Sequence, residues 1–374
     1  MPEYLHPGVY IEETSTKKPI EGVGTSVAGF IGLAPTGPFN VSKSVTSISE
    51  FLDVFGESEE MLYLQYAVHC FFEQGGERCY VVRSSGDDAR AINLALHSFD
   101  EVRDVNLLAI PDAQGREIVT QLAEYCERRR DCFFIADPPK ECRLKGKGEA
   151  SLLDFKANLH SSFGALYYPW IQITNPSSGN KTLITVPPSG AVAGLYSLND
   201  ADLGIHTSPA GQRTGTLAIA DDVEELLNEK DFDFLTNVGI NPIRKFSDNG
   251  VIVWGGRTMA ASTEQEFKYV SVRRLTIFIE ESIKRGLQWV VFEPAGQTLW
   301  QQVKMIVATF LMMLWRNGAL QGSKPEEAFF VKVDEENNPE YLIQEGALVM
   351  LIGIAAIKPA AFIQIKIEIK GGKK

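Results

Sequence analysis

The last stretch of the chain alternates isoleucine with polar residues over nine positions. Phe362–Lys370 reads F-I-Q-I-K-I-E-I-K, so an extended strand places Ile363, Ile365, Ile367 and Ile369 on one face and polar residues on the other. A strand of this length must pair with another strand, because an unpaired edge leaves a row of free backbone N–H and C=O groups. This stretch alone leaves two alternatives open: the strand closes a sheet of its own chain, or it is donated to another subunit.

From about residue 88 the sequence pattern predicts an α/β fold. Uninterrupted apolar runs, which are typical of strands buried on both faces, alternate there with stretches of helical pattern. Such alternation indicates a largely parallel sheet covered by helices on both sides. An acidic helix, predicted at residues 221–230, closes this unit. The predicted strands lie at residues 25–34, 79–83, 105–112, 132–139 and 165–173, and the main helices at 62–74, 89–99 and 115–130.

The pattern changes after residue 237, where two long helices and several strands predict an α+β unit. In the first helix, residues 266–285, apolar side chains recur at spacings of three and four, which places Arg273 and Arg274 on the remaining surface. The second helix, residues 298–315, is apolar nearly all round, and this predicts deep burial. The predicted strands of this unit lie at residues 251–257, 328–334 and 347–357, before the terminal strand.

The charge is distributed unevenly between these two parts of a 374-residue chain, whose length predicts two or three domains. Residues 1–239 carry 19 Lys and Arg against 34 Asp and Glu, a net charge of −15. Residues 240–374 carry 17 against 14, a net charge of +3. We therefore expect the C-terminal part to face an acidic partner. The excess is too small to indicate nucleic acid, which requires a strongly basic surface.

Neither a membrane segment nor a disulfide framework is predicted. No apolar run reaches the roughly 18 to 20 residues of a membrane span, and the N-terminus lacks the pattern of a signal peptide, so we expect the chain to be made in the cytoplasm. The cysteines are odd in number and form no CxxC pair, which favours reduced, mostly buried thiols over disulfides or a zinc site. They are Cys70, Cys79, Cys126, Cys132 and Cys142.

No cofactor site is convincing in this sequence. The glycines Gly22 and Gly24 lack the further spacing of a dinucleotide loop, and residues 179–182 lack that of a phosphate loop. The segment 186–190 precedes a helix, but Pro187 and Pro188 remove two N–H donors that an anion would need. We therefore interpret all three segments as turns, loops or helix caps.

Catalytic and metal-binding patterns are equally weak. The five histidines are scattered and never fall four residues apart, so no metal site is predicted. The pairs Asp221-Asp222 and Glu280-Glu281 are interpreted as solvated helix charges. Asp112 and Asp137 each follow a predicted parallel strand, where α/β enzymes place their sites. An α/β enzyme with a site at these two carboxylates is therefore the alternative to a structural protein.

Several motifs together resemble the contractile tail sheath proteins. The resemblance covers both ends and much of the middle of the chain, and it is least distinctive at residues 85–180. Its motifs are H-P-G-V-Y-I-E-E at residues 6–13, G-V-G-T-S-V-A-G-F-I-G at 22–32, N-P-I-R at 241–244, V-W-G-G-R-T at 253–258, Y-V-S-V-R-R-L at 269–275, L-Q-W-V-V-F-E-P at 287–294 and L-W at 299–300. The chain length is most similar to sheaths of extracellular contractile injection systems of the antifeeding-prophage and virulence-cassette kind.

The resemblance implies a non-enzymatic subunit that polymerises as stacked rings around an inner tube. Contraction from a metastable, extended lattice would then drive the tube through a target envelope. The implied partners are further sheath subunits, identical or paralogous, the inner tube protein, and baseplate and terminal cap proteins, with neither nucleic acid nor direct membrane insertion. Such particles assemble in the cytoplasm and are released afterwards.

The resemblance also implies a division of the chain into an N-terminal arm (residues 1–21), an outward α/β domain (22–239), a conserved inner domain (240–360) and a C-terminal strand arm (361–374). Both arms add strands to neighbouring subunits, so donation of the terminal strand becomes the favoured alternative. The N-terminal arm residues are Val9, Tyr10, Ile11 and Glu12. For contact with the tube, we predict Lys304, Arg316 and Lys324, around the last long helix.

Overall fold

The computed structural model describes residues 18–58, 60–177, 182–294, 296–357 and 362–370, and shows an α/β fold built on an eight-stranded sheet. Its strands are β1 (Ala28–Gly32), β2 (Ser42–Val45), β3 (Cys79–Arg83), β4 (Leu107–Ala109), β5 (Phe133–Ala136), β6 (Gly164–Tyr168), β10 (Ile240–Phe246) and β11 (Gly250–Val253). Three further strands, β7 (Ile171–Thr174), β8 (Leu183–Val186) and β9 (Asp222–Val223), form a small antiparallel sheet in the order β8-β7-β9.

The large sheet has the order β11-β10-β6-β5-β4-β1-β3-β2, and only its outermost strands, β11 and β2, are antiparallel to their neighbours. Strands β1, β4, β5 and β6 are buried at every position, so both faces of the centre are covered. The predicted α/β fold with a largely parallel sheet is therefore confirmed.

Seven helices belong to this part of the described chain; among them α2 packs on both α1 and α6, and α3 packs on α4. The approach of α6 to α2 requires glycine, because a Cβ on Gly190 would lie 2.3 Å from the carbonyl oxygen of Ala67. The helices are α1 (Ile48–Phe55), α2 (Tyr63–Glu73), α3 (Ala89–His97), α4 (Arg116–Arg129), α5 (Leu152–Lys156), α6 (Ser189–Asp202) and α7 (Glu229–Asn237), with a 3-10 turn at Gly148–Ala150.

The remaining elements build a second, smaller core. They are α8 (Val270–Gly286), α9 (Gln297–Arg316), α10 (Pro325–Ala328), β12 (Phe329–Lys332), α11 (Glu340–Gln344), β13 (Ala347–Ala355) and β14 (Phe362–Lys370), with a 3-10 turn at Gln288–Phe292. The strands form an antiparallel sheet in the order β12-β13-β14. Ile20, close to the start of the described chain, is buried in this core with α8 and α9.

Helix α8 joins the two cores, because its apolar residues point to both. Val270 and Ile277, seven residues apart, pack in the large core. Val272, Leu275 and Ile279 pack in the smaller one. In the described residues, no helix is both long and apolar enough to cross a membrane.

Two predicted elements have different boundaries in the structure. The predicted strand 165–173 is split into β6 and β7 on either side of Pro169, which has no N–H for a sheet ladder. The predicted acidic helix 221–230 is wrong over its first half, where Asp222 and Val223 form β9. Helix α7 begins only after Asn228, whose side chain accepts from the Asp231 N–H while the Asp231 side chain accepts from the Asn228 N–H.

The structure also differs from the prediction at two places near the small core. Strands β10 and β11 pair within the large sheet, although the inner unit was predicted to begin at residue 240. Helix α9 is not buried all round, since Met305 and Met313 are 64% and 44% exposed. Within the described residues, one face of α9 is left exposed, while its other side packs against β12 and α8.

Candidate functional site

The candidate site begins at the paired strands β13 and β14, which are matched over nine residues. Their antiparallel register runs from Ala347 opposite Lys370 to Ala355 opposite Phe362. The isoleucines of β14 are the partners of buried residues of β13, since Ile363, Ile365, Ile367 and Ile369 lie opposite Ile354, Ile352, Met350 and Leu348. The alternation seen in the sequence is therefore in phase with the buried positions of β13.

The opposite edge of β13 is covered by other parts of the chain. Strand β12 pairs with Leu351–Ile354. Past the end of β12, the side chain of the buried Asn338 makes the hydrogen bonds to the β13 backbone that a strand would otherwise make. Its side-chain oxygen accepts from the Val349 N–H at 2.6 Å, and its amide donates to the Val349 carbonyl at 2.9 Å. Among the described residues, only β14 covers the second edge, so the small core depends on a nine-residue strand near the end of the chain.

The two predicted arms have different outcomes. Val9, Tyr10, Ile11 and Glu12 lie outside the described residues. Of the C-terminal arm, Phe362–Lys370 pairs with β13 of its own chain. Donation of β14 to another copy therefore stays a prediction, and so do the roles of its four isoleucines.

A buried ion pair lies where the two cores meet. Arg274 of α8 donates two hydrogen bonds to the carboxylate of Asp200 at the end of α6, at 2.6 and 3.0 Å, and only 4% of each side chain is exposed. Arg274 also donates to the Thr25 carbonyl at 3.0 Å, and its guanidinium lies 4.6 Å from the ring centroid of Tyr196. One side chain thus connects the segment before β1, α6 and α8.

The neighbouring charges of α8 are also buried, which the sequence did not predict. Arg273 lies 3.3 Å from the ring centroid of Phe267 and donates to the Ser162 hydroxyl at 2.6 Å, and burial lowers its pKa to about 10. Glu281, interpreted as solvated, is buried and accepts from Arg285 at 2.8 Å. A signal existed, because apolar residues flank the two arginines on both sides of the helix, as expected for a helix held between two cores.

The three cations predicted for tube contact all lie on the surface of the smaller core. Lys304 and Arg316 are exposed on α9, about 18 Å apart along the helix axis. Lys324 precedes α10, and the Trp315 indole N–H donates to the Gly322 carbonyl at 2.9 Å, which folds this segment back on the end of α9. The structure therefore brings Arg316 and Lys324 to one end of α9, with Lys304 about three turns away.

The carboxylates of the enzyme alternative, Asp112 and Asp137, hold helices in place. Asp112 accepts backbone N–H groups of Leu33, Tyr63 and Leu64 at 2.6 to 3.1 Å, and so caps α2, whose own N-cap, Leu62, has no side-chain oxygen. Asp137 accepts the Ser189 N–H at 2.9 Å and caps α6 in the same way. Both residues follow parallel strands, as predicted, but their carboxylate oxygens accept backbone hydrogen bonds at the starts of helices.

Burial raises the pKa of both carboxyl groups, of Asp112 to about 6 and of Asp137 to about 7. A carboxyl group whose pKa is higher in the folded chain binds protons more tightly there than in the unfolded chain. Its contribution to stability is therefore complete below about pH 4 and is lost as the pH rises through 6 to 7.

Replacing Asp137 by asparagine removes this pH dependence. The asparagine side chain keeps an oxygen for the Ser189 N–H and carries no charge, so we expect D137N to gain stability relative to the parent chain between pH 5 and pH 8, by up to about 4 kcal/mol. Urea unfolding at several pH values measures this. Parallel stability curves for the two chains would contradict it.

Asp112→Asn is the matched control for that experiment. Both oxygens of Asp112 accept backbone N–H groups, so an amide must direct its NH2 group at one of these donors. We expect D112N to lose about 1 to 3 kcal/mol below about pH 4, and this loss to shrink as the pH rises through 6, because the substitution also removes the titration of Asp112.

All five cysteines are free and buried, as predicted. Burial raises the pKa of Cys70 to about 12, which keeps this thiol protonated at neutral pH. In the described part of the chain, no group of three or more His, Cys, Asp and Glu side chains is arranged to hold a metal ion.

Comparison with known proteins gives one family. Residues 85–259 match the profile of the phage tail sheath protein central domain, and residues 262–370 match that of the phage tail sheath C-terminal domain. The tail sheath protein of Vibrio phage KVP40 is 22% identical over 351 residues, which are 86% of this chain and 51% of that protein. The chain thus spans about half the length of the curated relatives it matches.

Solved structures match over nearly the whole chain. The helical sheath of the anti-feeding prophage in its contracted state is 30% identical, with a TM-score of 0.77, over 96% of this chain and 98% of that one. The sheath complex of an extracellular contractile injection system, PVC, also contracted, is 27% identical with a TM-score of 0.78, over 97% of both chains. A chain of the anti-feeding prophage baseplate structure is 29% identical with a TM-score of 0.76, over 98% of this chain and 99% of that one.

Proposed function

Because the chain belongs to the family of phage tail sheath proteins, we propose that it is the sheath subunit of a contractile injection system. The observation that carries this proposal is the match to a contracted anti-feeding prophage sheath at 30% identity over 96% of the chain. The relatives are structural proteins, and we propose the same for this chain, so the enzyme alternative at Asp112 and Asp137 is not supported.

The subunits stack as rings around an inner tube in an extended, metastable lattice. Conversion to a shorter, wider lattice releases interface energy and drives the tube through a target envelope. Baseplate and cap proteins close the two ends of this particle, which assembles in the cytoplasm and then acts outside the cell. Electron microscopy of the purified chain, with and without the tube protein, tests the proposal: long cylinders support it, and a small, discrete oligomer under all conditions would reject it.

We propose that the two parts of the subunit have different positions in the sheath. Residues 22–239 form the outward domain, residues 240–360 the inner domain, and the two terminal arms join neighbouring copies by strand addition. The charge difference supports this arrangement, since the outward part is strongly acidic and the inner part weakly basic. Strands β10 and β11 belong to the large sheet, and this supports a boundary after residue 253.

The tube is proposed to bind at Lys304, Arg316 and Lys324. All three are exposed on the weakly basic part of the chain, where they can attract an acidic tube surface. We expect the triple charge reversal to glutamate to reduce the amount of sheath bound to isolated tubes at least tenfold, with the largest effect at low salt. Cosedimentation of sheath chains with tubes measures this binding.

Lys43→Glu is the control for this charge reversal. Lys43 is also exposed, but it lies on β2, at the edge of the large sheet and away from the smaller core. We expect K43E to bind tubes like the parent chain. Equal binding by the triple variant and the parent chain would reject these three residues while leaving the sheath proposal intact.

A further inference from the structure

A cavity of about 500 Å³ opens beside the large sheet, away from β14 and α9. It lies between α5, the end of α7 and the segment that joins β11 to α8. One part of its wall carries the basic side chains Lys156, Arg257 and Lys268, and another part is apolar. A volume of this size is typical of sites for small molecules. The apolar lining residues include Leu153, Ala157, Phe234 and Val238.

The basic side chains of this cavity have no counter-charge within the described residues. The ion pairs found there do not include Lys156, Arg257 or Lys268, and the carboxylate that lines the cavity, Glu264, faces Arg273 at 3.4 Å. The wall therefore carries a net positive charge, although the sequence up to residue 239 is strongly acidic. A local field of this sign attracts anions.

Lys156 is the strongest indication of a ligand. Only 6% of the residue is exposed, and its ammonium group donates to the Leu159 carbonyl at 2.6 Å, which uses one of its three N–H groups. Burial also lowers the pKa of Lys156 to about 8. A buried cation without a counter-charge is unfavourable, and a bound anion would remove this penalty.

The backbone of Arg257 is fixed at the cavity wall by hydrogen bonds to a neighbouring side chain. The buried Asn241 accepts the Arg257 N–H and donates to the Arg257 carbonyl, both at 2.7 Å. A guanidinium group offers two parallel N–H donors to phosphate or carboxylate oxygens, and the two lysines add point charges. Arg257 belongs to the segment V-W-G-G-R-T, which resembles the sheath proteins, but the proposed sheath assembly does not assign it a role.

We infer that this cavity binds a small anionic ligand through a phosphate or carboxylate group held by Lys156, Arg257 and Lys268. The rest of the ligand packs against the apolar wall formed by α5 and the end of α7. This binding site is independent of the proposed contraction, because it involves neither the terminal arms nor α9.

Labelling with pyridoxal 5′-phosphate tests the inference on the unassembled, full-length chain. The lysine nitrogen attacks the aldehyde carbon of the reagent, water leaves, and borohydride adds a hydride to the resulting imine. We expect Lys156 to be labelled at least tenfold faster than the exposed Lys145 and Lys147, which serve as internal controls. Inorganic pyrophosphate should protect Lys156 but neither control. Peptide mass spectrometry reads out all three sites.

Two variants separate anion binding from simple reactivity. In R257Q and in K268Q we expect the pyrophosphate concentration for half-protection of Lys156 to rise at least tenfold, while labelling of Lys145 stays unchanged. Labelling of Lys156 at the rate of Lys145, or labelling that pyrophosphate does not reduce, would overturn the inference. Protection of Lys156 only on assembly into sheaths, with no effect of pyrophosphate, would also overturn it and would indicate an acidic segment of another copy as the occupant.

Discussion

Deletion of residues 362–374 is expected to abolish long sheaths. Without β14, one edge of β13 is unpaired over nine residues, while its other edge remains covered by β12 and Asn338. Each backbone hydrogen bond contributes only about 1 kcal/mol, but a nine-residue strand makes several, and the exposed edge invites irregular pairing. Electron microscopy of the truncated chain measures the effect, and sheaths of normal length would contradict the assigned role of the strand.

A mixture of two variants, each with one added cysteine, determines which copy β14 pairs with. Leu351 and Lys366 are partners in the β13–β14 register, and Lys366 is exposed. If the strand is donated, L351C and K366C chains assembled together should form a disulfide between two chains. A double variant, L351C/K366C, should then give multimers after oxidation.

The control pairs L351C with E368C, which lies two residues out of register. Diagonal positions are about 7 to 8 Å apart, too far for efficient disulfide formation. If the double variant L351C/K366C gives only internally linked single chains from assembled sheaths, the strand stays on its own β13. That result would reject donation without rejecting membership of the sheath family.

Loss of Arg274 is expected to be the most destabilising single substitution at the junction of the two cores. R274M leaves the carboxylate of Asp200 buried without its partner and removes the hydrogen bond to the Thr25 carbonyl. Breaking a buried pair in this way costs about 3 to 5 kcal/mol. We expect the urea unfolding midpoint to fall accordingly, and assembly to fail because the two cores are no longer held together at this point.

Two further variants show whether the loss of stability in R274M comes from the buried, unpaired charge. Arg78→Met breaks an exposed pair with Asp104, whose side chains are 43% and 52% exposed, and we expect a loss within about 1 kcal/mol. The double variant R274M/D200N should be more stable than R274M, since it no longer buries an unpaired charge. An R274M chain as stable as R78M would show that the buried pair does not hold the cores together.

Several features were predictable because they depend on local pattern. The alternation of Phe362–Lys370 defines a strand and its phase, and the apolar runs at β1, β4 and β5 define strands that are buried on both faces. The motifs around Arg257 and Arg274 indicated the tail sheath family, and the comparisons confirm this. Each of these conclusions needs only the order of neighbouring residues.

The candidate site depends more on tertiary structure. Arg273 and Arg274 look like surface charges of one helix, yet they are buried because α8 packs between two cores. Asp112 and Asp137 have the positions of catalytic carboxylates, yet they cap α2 and α6, helices that begin about 50 residues away along the chain. The cationic cavity likewise combines residues of α5, α7 and the segment before α8.

The sequence by itself thus determined the strand at the end of the chain, the parallel sheet and the family, because backbone periodicity and apolar runs act over a few residues. The tertiary structure decided which charges are buried and which backbone donors each carboxylate accepts. Burial depends on everything that packs around a side chain, and for Arg274 those neighbours, Thr25 and Asp200, lie 249 and 74 residues away along the chain.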